Sequence, residues 1–145
     1  MITCSKRPCA FLLTAAFSLL FGASQPSATI ETPKPRTVTT GSCRILSNGT
    51  FSALWGPSNL PTLTFTIGPG ATMANEMHAN KAKYTGPGRY ENEILAVYLG
   101  KTALEDSYGG LGTVVISPDG HSGTFVTNDH KASGRFDCGA PPAKP

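Results

Sequence analysis

The sequence KYTGPGRY, residues 83 to 90, carries the side chains that most directly suggest ligand contact. Two tyrosines stand on either side of a Gly-Pro-Gly turn, and an arginine follows the turn. Loops often carry binding residues, and aromatic faces contact ligands well. The same turn chemistry also makes a tight corner without any ligand, because proline presets φ and glycine accepts a positive φ. The candidate binding loop consists of Tyr84, Gly86, Pro87, Gly88, Arg89 and Tyr90, and a purely structural corner is the alternative.

Two carboxylate pairs could in principle serve glycoside hydrolysis, which needs two acids about 5 to 9 Å apart. They are Glu91 with Glu93 and Glu105 with Asp106. Residues two apart on a strand can meet that distance. A small secreted hydrolase that uses Glu91 and Glu93 is therefore one alternative function, and solvated strand faces are the other explanation of these pairs.

Ser122 lies in the sequence GHSGT, where a Gly-x-Ser-x-Gly nucleophile elbow would need glycine in place of Thr124. A strand pattern follows this serine, whereas an elbow leads into a helix. His121 and His130 would lie about 30 Å apart on an extended strand, too far apart to share one ion. We interpret them and His78 as surface or turn residues, and we expect no catalytic residue, no metal site and no cofactor.

The first 24 residues predict an export signal. Lys6 and Arg7 precede an apolar run from residue 10 to residue 22, and small residues follow, so the expected cut lies after Ser24. The run is shorter than the roughly 20 apolar residues of a spanning helix. We therefore expect a secreted protein with no membrane span in the mature chain, and an uncleaved anchor is the alternative.

Cys43 and Cys138 lie near the two ends of the chain that would remain after the cut. In an oxidising compartment the simplest interpretation is one disulfide between them. Closing a loop of this length stabilises a fold by about 4.5 kcal/mol in the chain-entropy model. The alternative is two free thiols or a metal pair.

Composition and periodicity predict an all-β domain. The chain holds 16 glycines and 12 prolines, and only 14% of its residues are charged, against about a quarter in typical domains. PTLTFTIG, residues 61 to 68, alternates apolar residues with threonine, which is typical of a half-buried strand. Asn48-Gly49 predicts one hairpin and Pro118 with Gly120 another. Further strands are predicted in ENEILAVYLG and SGRFDC, and residues 71 to 82 fit either a helix or a strand.

The flanks have repeated prolines and almost no apolar residues. We therefore predict a linker at 25 to 36, one β-domain at 37 to 138, and a Pro-rich tail at 139 to 145. A domain of about one hundred residues suits a single core.

The arrangement of Cys43, Trp55 and Cys138 resembles an immunoglobulin-type sandwich, in which a core tryptophan packs on an intersheet disulfide. This resemblance implies an immunoglobulin-like antiparallel β-sandwich of about seven or eight short strands. The blocks YTGPGRY, SPDGHSGTF and SGRFDC are similar to small exported bacterial Gly-rich β-domains, often actinobacterial, of unassigned activity. That second resemblance implies a habitat and a fold class but no catalytic residue.

Charge argues against a nucleic-acid partner. The net charge of +3 falls when Lys6 and Arg7 leave with the signal, which leaves ten basic and nine acidic residues without a basic run. We therefore expect a secreted, non-catalytic binding or envelope-associated module whose partner is an extracellular protein or glycan. Besides the hydrolase, a protease inhibitor that presents residues 84 to 90 or 56 to 61 is an alternative.

Overall fold

A computed structural model describes residues 24–69, 81–143 and 145. In that part of the chain all regular structure is strand, and the all-β prediction is confirmed. The nine strands are β1 (Ser27–Thr32), β2 (Arg36–Val38), β3 (Gly41–Ile45), β4 (Phe51–Trp55), β5 (Leu63–Ile67), β6 (Gly88–Tyr98), β7 (Ser107–Ile116), β8 (Ser122–Thr127) and β9 (Ser133–Asp137). Residues 70–80, which include most of the segment predicted as either helix or strand, lie outside the described residues.

The strands form one antiparallel sheet in the order β2-β1-β9-β8-β7-β6-β5-β4-β3. From β3 to β9 each strand pairs with the next one in sequence, which is the pattern of a meander. The immunoglobulin-like sandwich is not confirmed, because that architecture needs two packed sheets and connections that cross between them. The single sheet is instead nearly closed and barrel-like.

The predicted disulfide is confirmed, and it shows how strongly the sheet curls. Cys43 lies in the edge strand β3, and Cys138 follows β9, six strand positions away along the sheet. In a flat sheet six spacings of about 4.8 Å would separate them by about 29 Å. Their Cα atoms are 5.6 Å apart. The sheet must therefore wrap around, and the disulfide links the edge strand β3 to the end of β9.

Alternating side chains fill the interior. The inward residues of β4 and β5 are all fully buried, as the period-two pattern predicts. Trp55 of β4 packs on Phe136 of β9 with ring centroids 5.4 Å apart, and Phe65 of β5 meets the same ring at 4.9 Å. Aromatic contacts therefore join β4 and β5 to β9 across the interior of the curled sheet.

Both predicted hairpins are present. Pro118 and Gly120 lie in the β7–β8 turn, where Gly120 has a φ of 78°. Asn48-Gly49 lies in the β3–β4 turn, but of this pair only Gly49 has a positive φ, at 82°. The turn is therefore not a two-residue type I′ turn, which needs a positive φ at both residues.

The predicted linker at 25 to 36 was wrong over most of its length. Residues 27 to 32 form β1, which pairs with β9, and β2 begins at Arg36. Ala28 and Ile30 point inward and are buried. Two buried apolar residues are enough to hold β1 in the sheet, because its backbone also hydrogen-bonds to β9, more than one hundred residues away in the chain. The described residues of the tail, 139–143 and 145, contain no strand.

Candidate functional site

The loop at residues 84 to 90 is closed by its own hydrogen bonds. The hydroxyl of Tyr90 donates to the carbonyl oxygen of Gly86 at 2.6 Å and accepts the N–H of Thr85 at 3.3 Å. Gly86 has a φ of 119° and Gly88 a φ of 152°, values that L side chains rarely adopt. The backbone therefore requires both glycines whether or not the loop binds anything.

The two tyrosines of this loop pack against the protein. Tyr84 packs against Phe51 in a tilted contact with ring centroids 4.9 Å apart, and its ring centroid lies 5.6 Å from that of Tyr90. Burial raises the pKa of the Tyr84 hydroxyl above its usual value, and the neighbouring Tyr90 adds to the increase. Pro87 and Arg89 are exposed, but Arg89 already belongs to β6 and pairs with Val115. This loop is therefore a tight turn whose two tyrosines are half-buried against the protein.

Glu91 and Glu93 lie in different environments. A bulge separates them, because the pairing of β6 with β7 shifts register between Tyr90 and Glu93, and Asn92 between the two acids has a φ of 56°. The Glu91 carboxylate is exposed and pairs with Arg89 at 2.8 Å. The Glu93 carboxylate is buried, where it accepts the Lys81 ammonium at 2.8 Å and the Gly68 N–H at 3.2 Å. This arrangement does not favour a shared role in hydrolysis.

The second carboxylate pair lies in the connection between β6 and β7. Both acids are exposed, and Asp106 lies 3.5 Å from the Lys34 ammonium. Among the described residues no group of three or more histidine, cysteine, aspartate or glutamate side chains is arranged to hold a metal ion. His78 lies outside the described residues.

Ser122 is engaged as a hydrogen-bond donor to the turn that precedes it. Its hydroxyl donates to Asp119, whose other carboxylate oxygen accepts the N–H groups of His121 and Ser122 at 2.9 Å each. The Ser122 hydroxyl, and after it the His121 N–H, lowers the pKa of Asp119 to about 2. A carboxylate of such low basicity activates a serine poorly. This contact therefore stabilises the β7–β8 hairpin.

The outer face of β1, β9 and β8 carries a polar cavity of about 390 Å³, which we term the hydroxyl groove. Hydroxyl side chains dominate its lining, together with one guanidinium and one carboxylate. The polar side chains that line it are Ser27, Thr29, Ser117, Ser122, Thr124, Arg135 and Asp137.

Strand register places these groups in two rows. Ser27, Asp137 and Ser122 lie side by side across the three strands, and Thr29, Arg135 and Thr124 form the next row. Residues two apart on a strand point to the same face, so all six side chains project outward. The backbone ladder therefore fixes the spacing of the groups in the hydroxyl groove.

Asp137 and Arg135 give the hydroxyl groove its two charges. One oxygen of Asp137 accepts the N–H of Gly139 at 2.7 Å and lies 3.2 Å from Nδ1 of His121. The Arg135 side chain is 69% exposed, and its Nε lies 3.9 Å from the Glu31 carboxylate, a long distance for an ion pair. The carboxylate is thus held in place, while the guanidinium is open to a ligand.

The hydroxyl groove was not predicted from the sequence. The alternation of serine and threonine in SATIET and SGTFVT marks two wet strand faces. Nothing in the local sequence shows that these strands lie on either side of β9.

Within the described residues no helix is long and apolar enough to cross a membrane.

Searches against protein-family models, curated proteins and solved structures found no match to this chain.

Proposed function

We propose that the chain is a secreted, non-catalytic binding domain and that its ligand is an extracellular glycan held in the hydroxyl groove. The observation that carries this proposal is the double row of outward hydroxyl, guanidinium and carboxylate groups across β1, β9 and β8. Hydroxyl side chains both donate and accept hydrogen bonds, as the hydroxyls of a sugar do. A few polar groups on a rigid scaffold suit the recognition of such a ligand.

The chemistry of the hydroxyl groove indicates how a sugar would bind. The one aromatic residue in the lining, Phe136, is only 3% exposed because its ring faces the core. The lining of the hydroxyl groove therefore presents no accessible aromatic face on which a sugar ring could stack. Arg135 and Asp137 would instead orient the sugar through charge-assisted hydrogen bonds to its hydroxyls.

The export expected from the sequence would bring the chain into contact with extracellular ligands. The disulfide between Cys43 and Cys138 is compatible with an oxidising compartment. A cut after Ser24 would leave all nine strands intact, since β1 begins at Ser27. The cut would remove the hydrogen bond that the Ser24 hydroxyl donates to Gly139, and the strand ladders do not depend on that bond.

The alternative functions gain less from the geometry. A protease-inhibitor loop must enter an active site as an extended strand, whereas Arg89 is already paired with Val115 inside the sheet. The hydrolase alternative needs Glu91 and Glu93 to act together. Glu93 is buried and paired with Lys81, whereas Glu91 is exposed and paired with Arg89.

A glycan array probed with residues 25–145 would test the proposal, followed by calorimetry with the sugar that binds best. We expect Arg135→Gln and Thr124→Ala each to weaken binding at least tenfold, because both side chains are exposed in the hydroxyl groove and carry no core contact. Arg44→Gln, an exposed arginine on β3, is the matched control and should leave affinity unchanged. Absence of any glycan ligand, or equal affinity of all three variants, would overturn the site, and turnover of an ester, peptide or glycoside would overturn the non-catalytic assignment.

A further inference from the structure

A second cavity, of about 310 Å³, lies at the end of the sheet near the candidate binding loop, and we term it the Tyr84 cleft. One wall is the β3–β4 hairpin from Ile45 to Gly49. The opposite wall is the segment from Lys83 to Gly86, and Pro145 also lines the cavity. The Tyr84 cleft therefore brings together aliphatic side chains, a tyrosine and a proline from the far end of the chain.

The walls of the Tyr84 cleft are held in place before anything docks. The Tyr84 N–H donates to the Gly49 carbonyl oxygen at 2.9 Å, which ties the two walls together. The Tyr84 ring packs against Phe51, a fully buried core residue, and the Tyr90 hydroxyl donates a hydrogen bond to the Gly86 carbonyl oxygen. A preformed cavity loses little conformational entropy when a ligand binds.

The end of the chain suits a groove with an aromatic wall. Residues 139 to 145 read GAPPAKP, and proline-rich segments adopt the extended polyproline II conformation. Such segments dock in grooves lined by aromatic side chains, because their conformation is already restricted. Pro145 is the residue of this segment that lines the Tyr84 cleft.

The disulfide places the start of this segment close to the Tyr84 cleft. Cys138 is bonded to Cys43, and Cys43 is two residues before Ile45, which lines the cavity. Gly139 has a φ of 78°, so the chain turns sharply as it leaves β9. The six residues after Gly139 would span about 19 Å as polyproline II.

We propose that the Tyr84 cleft is a docking groove for an extended, proline-rich peptide and that the chain's own proline-rich tail occupies it. A partner of the same chemistry must then displace the tail. Because the tail is tethered by a short link, its effective concentration at the groove is on the order of millimolar. A free proline-rich peptide at micromolar concentration therefore competes poorly with the tail in the intact chain. This proposal does not depend on the glycan proposal, since the two cavities share no lining residue.

The test is a titration with the synthetic peptide GAPPAKP, followed by amide chemical shifts, on the chain with and without residues 141–145. We expect the shortened chain to bind at least tenfold more tightly than the intact chain, with shifts at Leu46, Ser47 and Thr85. The peptide GAAAAKA is the matched control and should bind neither form. The shortened chain keeps Cys138 and all nine strands.

A second variant keeps the full length and weakens only the docking residues. Pro142→Ala with Pro145→Ala should bind the peptide more tightly than the unmodified chain does. Three results would overturn the proposal: no binding to the shortened chain at millimolar peptide, equal binding to intact and shortened chains, or shifts that map away from the Tyr84 cleft.

Discussion

The buried ion pair between Lys81 and Glu93 offers a sharp test of how burial sets the energy of a charge pair. The side chains are 23% and 7% exposed, and the ammonium lies 2.8 Å from the carboxylate. Breaking a buried pair by removing one partner costs about 3 to 5 kcal/mol, because a charge is left unpaired in the interior. Lys81 is partly solvated, so we expect Lys81→Met to lower the free energy of unfolding by about 2 to 3 kcal/mol.

The matched control lies on the neighbouring part of β6. Arg89 and Glu91 also meet at 2.8 Å, but both side chains are 61% exposed. Exposed pairs contribute about 1 kcal/mol or less, so Arg89→Met should cost less than that. The two substitutions remove a cation from pairs of equal distance and different burial.

The double variant Lys81→Met with Glu93→Gln tests whether the unpaired charge of Glu93 causes the loss of stability. It should be more stable than Lys81→Met alone, since the amide can still accept the Gly68 N–H and no charge remains unpaired. Urea unfolding followed by the fluorescence of Trp55, the single and fully buried tryptophan, gives each free energy. Equal costs for Lys81→Met and Arg89→Met, or a double variant less stable than Lys81→Met, would refute the reasoning.

Three further predictions concern the disulfide, a turn and the core. Replacing Cys43 and Cys138 by serine should lower the free energy of unfolding by about 4.5 kcal/mol, and a urea transition that does not move would contradict the loop-closure argument. The pKa of Asp119 is lowered from 3.8 to about 2, so its stabilising effect is present above about pH 4 and is lost as the pH falls through 2; a carboxyl-carbon titration with a midpoint near 3.8 would exclude this. Gly123→Ala should lower the free energy of unfolding by about 1 to 3 kcal/mol, because a Cβ there would clash with the backbone carbonyl oxygen of Val115 and lie 2.7 Å from the ring of Phe136; an unchanged thermal or urea transition would contradict this.

Local patterns in the sequence were enough to predict several elements. The alternation of Leu63, Phe65 and Ile67 with threonine placed β5, because side chains of a strand point alternately to its two faces. Glycine at the two hairpin turns placed β3–β4 and β7–β8, since few other residues accept the positive φ that these turns need. The disulfide was also predictable, because Cys43 and Cys138 are the two cysteines outside the expected signal.

Other features depend on which strands become neighbours, and local patterns carry no such information. The segment containing β1 has the composition of a linker, and only its ladder with β9 makes it part of the sheet. Cysteine and tryptophan positions fit a sandwich as well as a curled single sheet, and only the pairing order distinguishes these two architectures.

The sequence alone determined the all-β class, the position of β5, the two hairpin turns and the cysteine pair. Strand periodicity and turn conformation depend on a few neighbouring residues, and the disulfide depends on residue type. The tertiary structure decided the closure of the sheet, the separation of Glu91 from Glu93 by a bulge, and the meeting of Ser27, Arg135 and Thr124 in one groove. Long-range hydrogen-bonded pairing sets all three, and it joins residues that lie far apart in the chain.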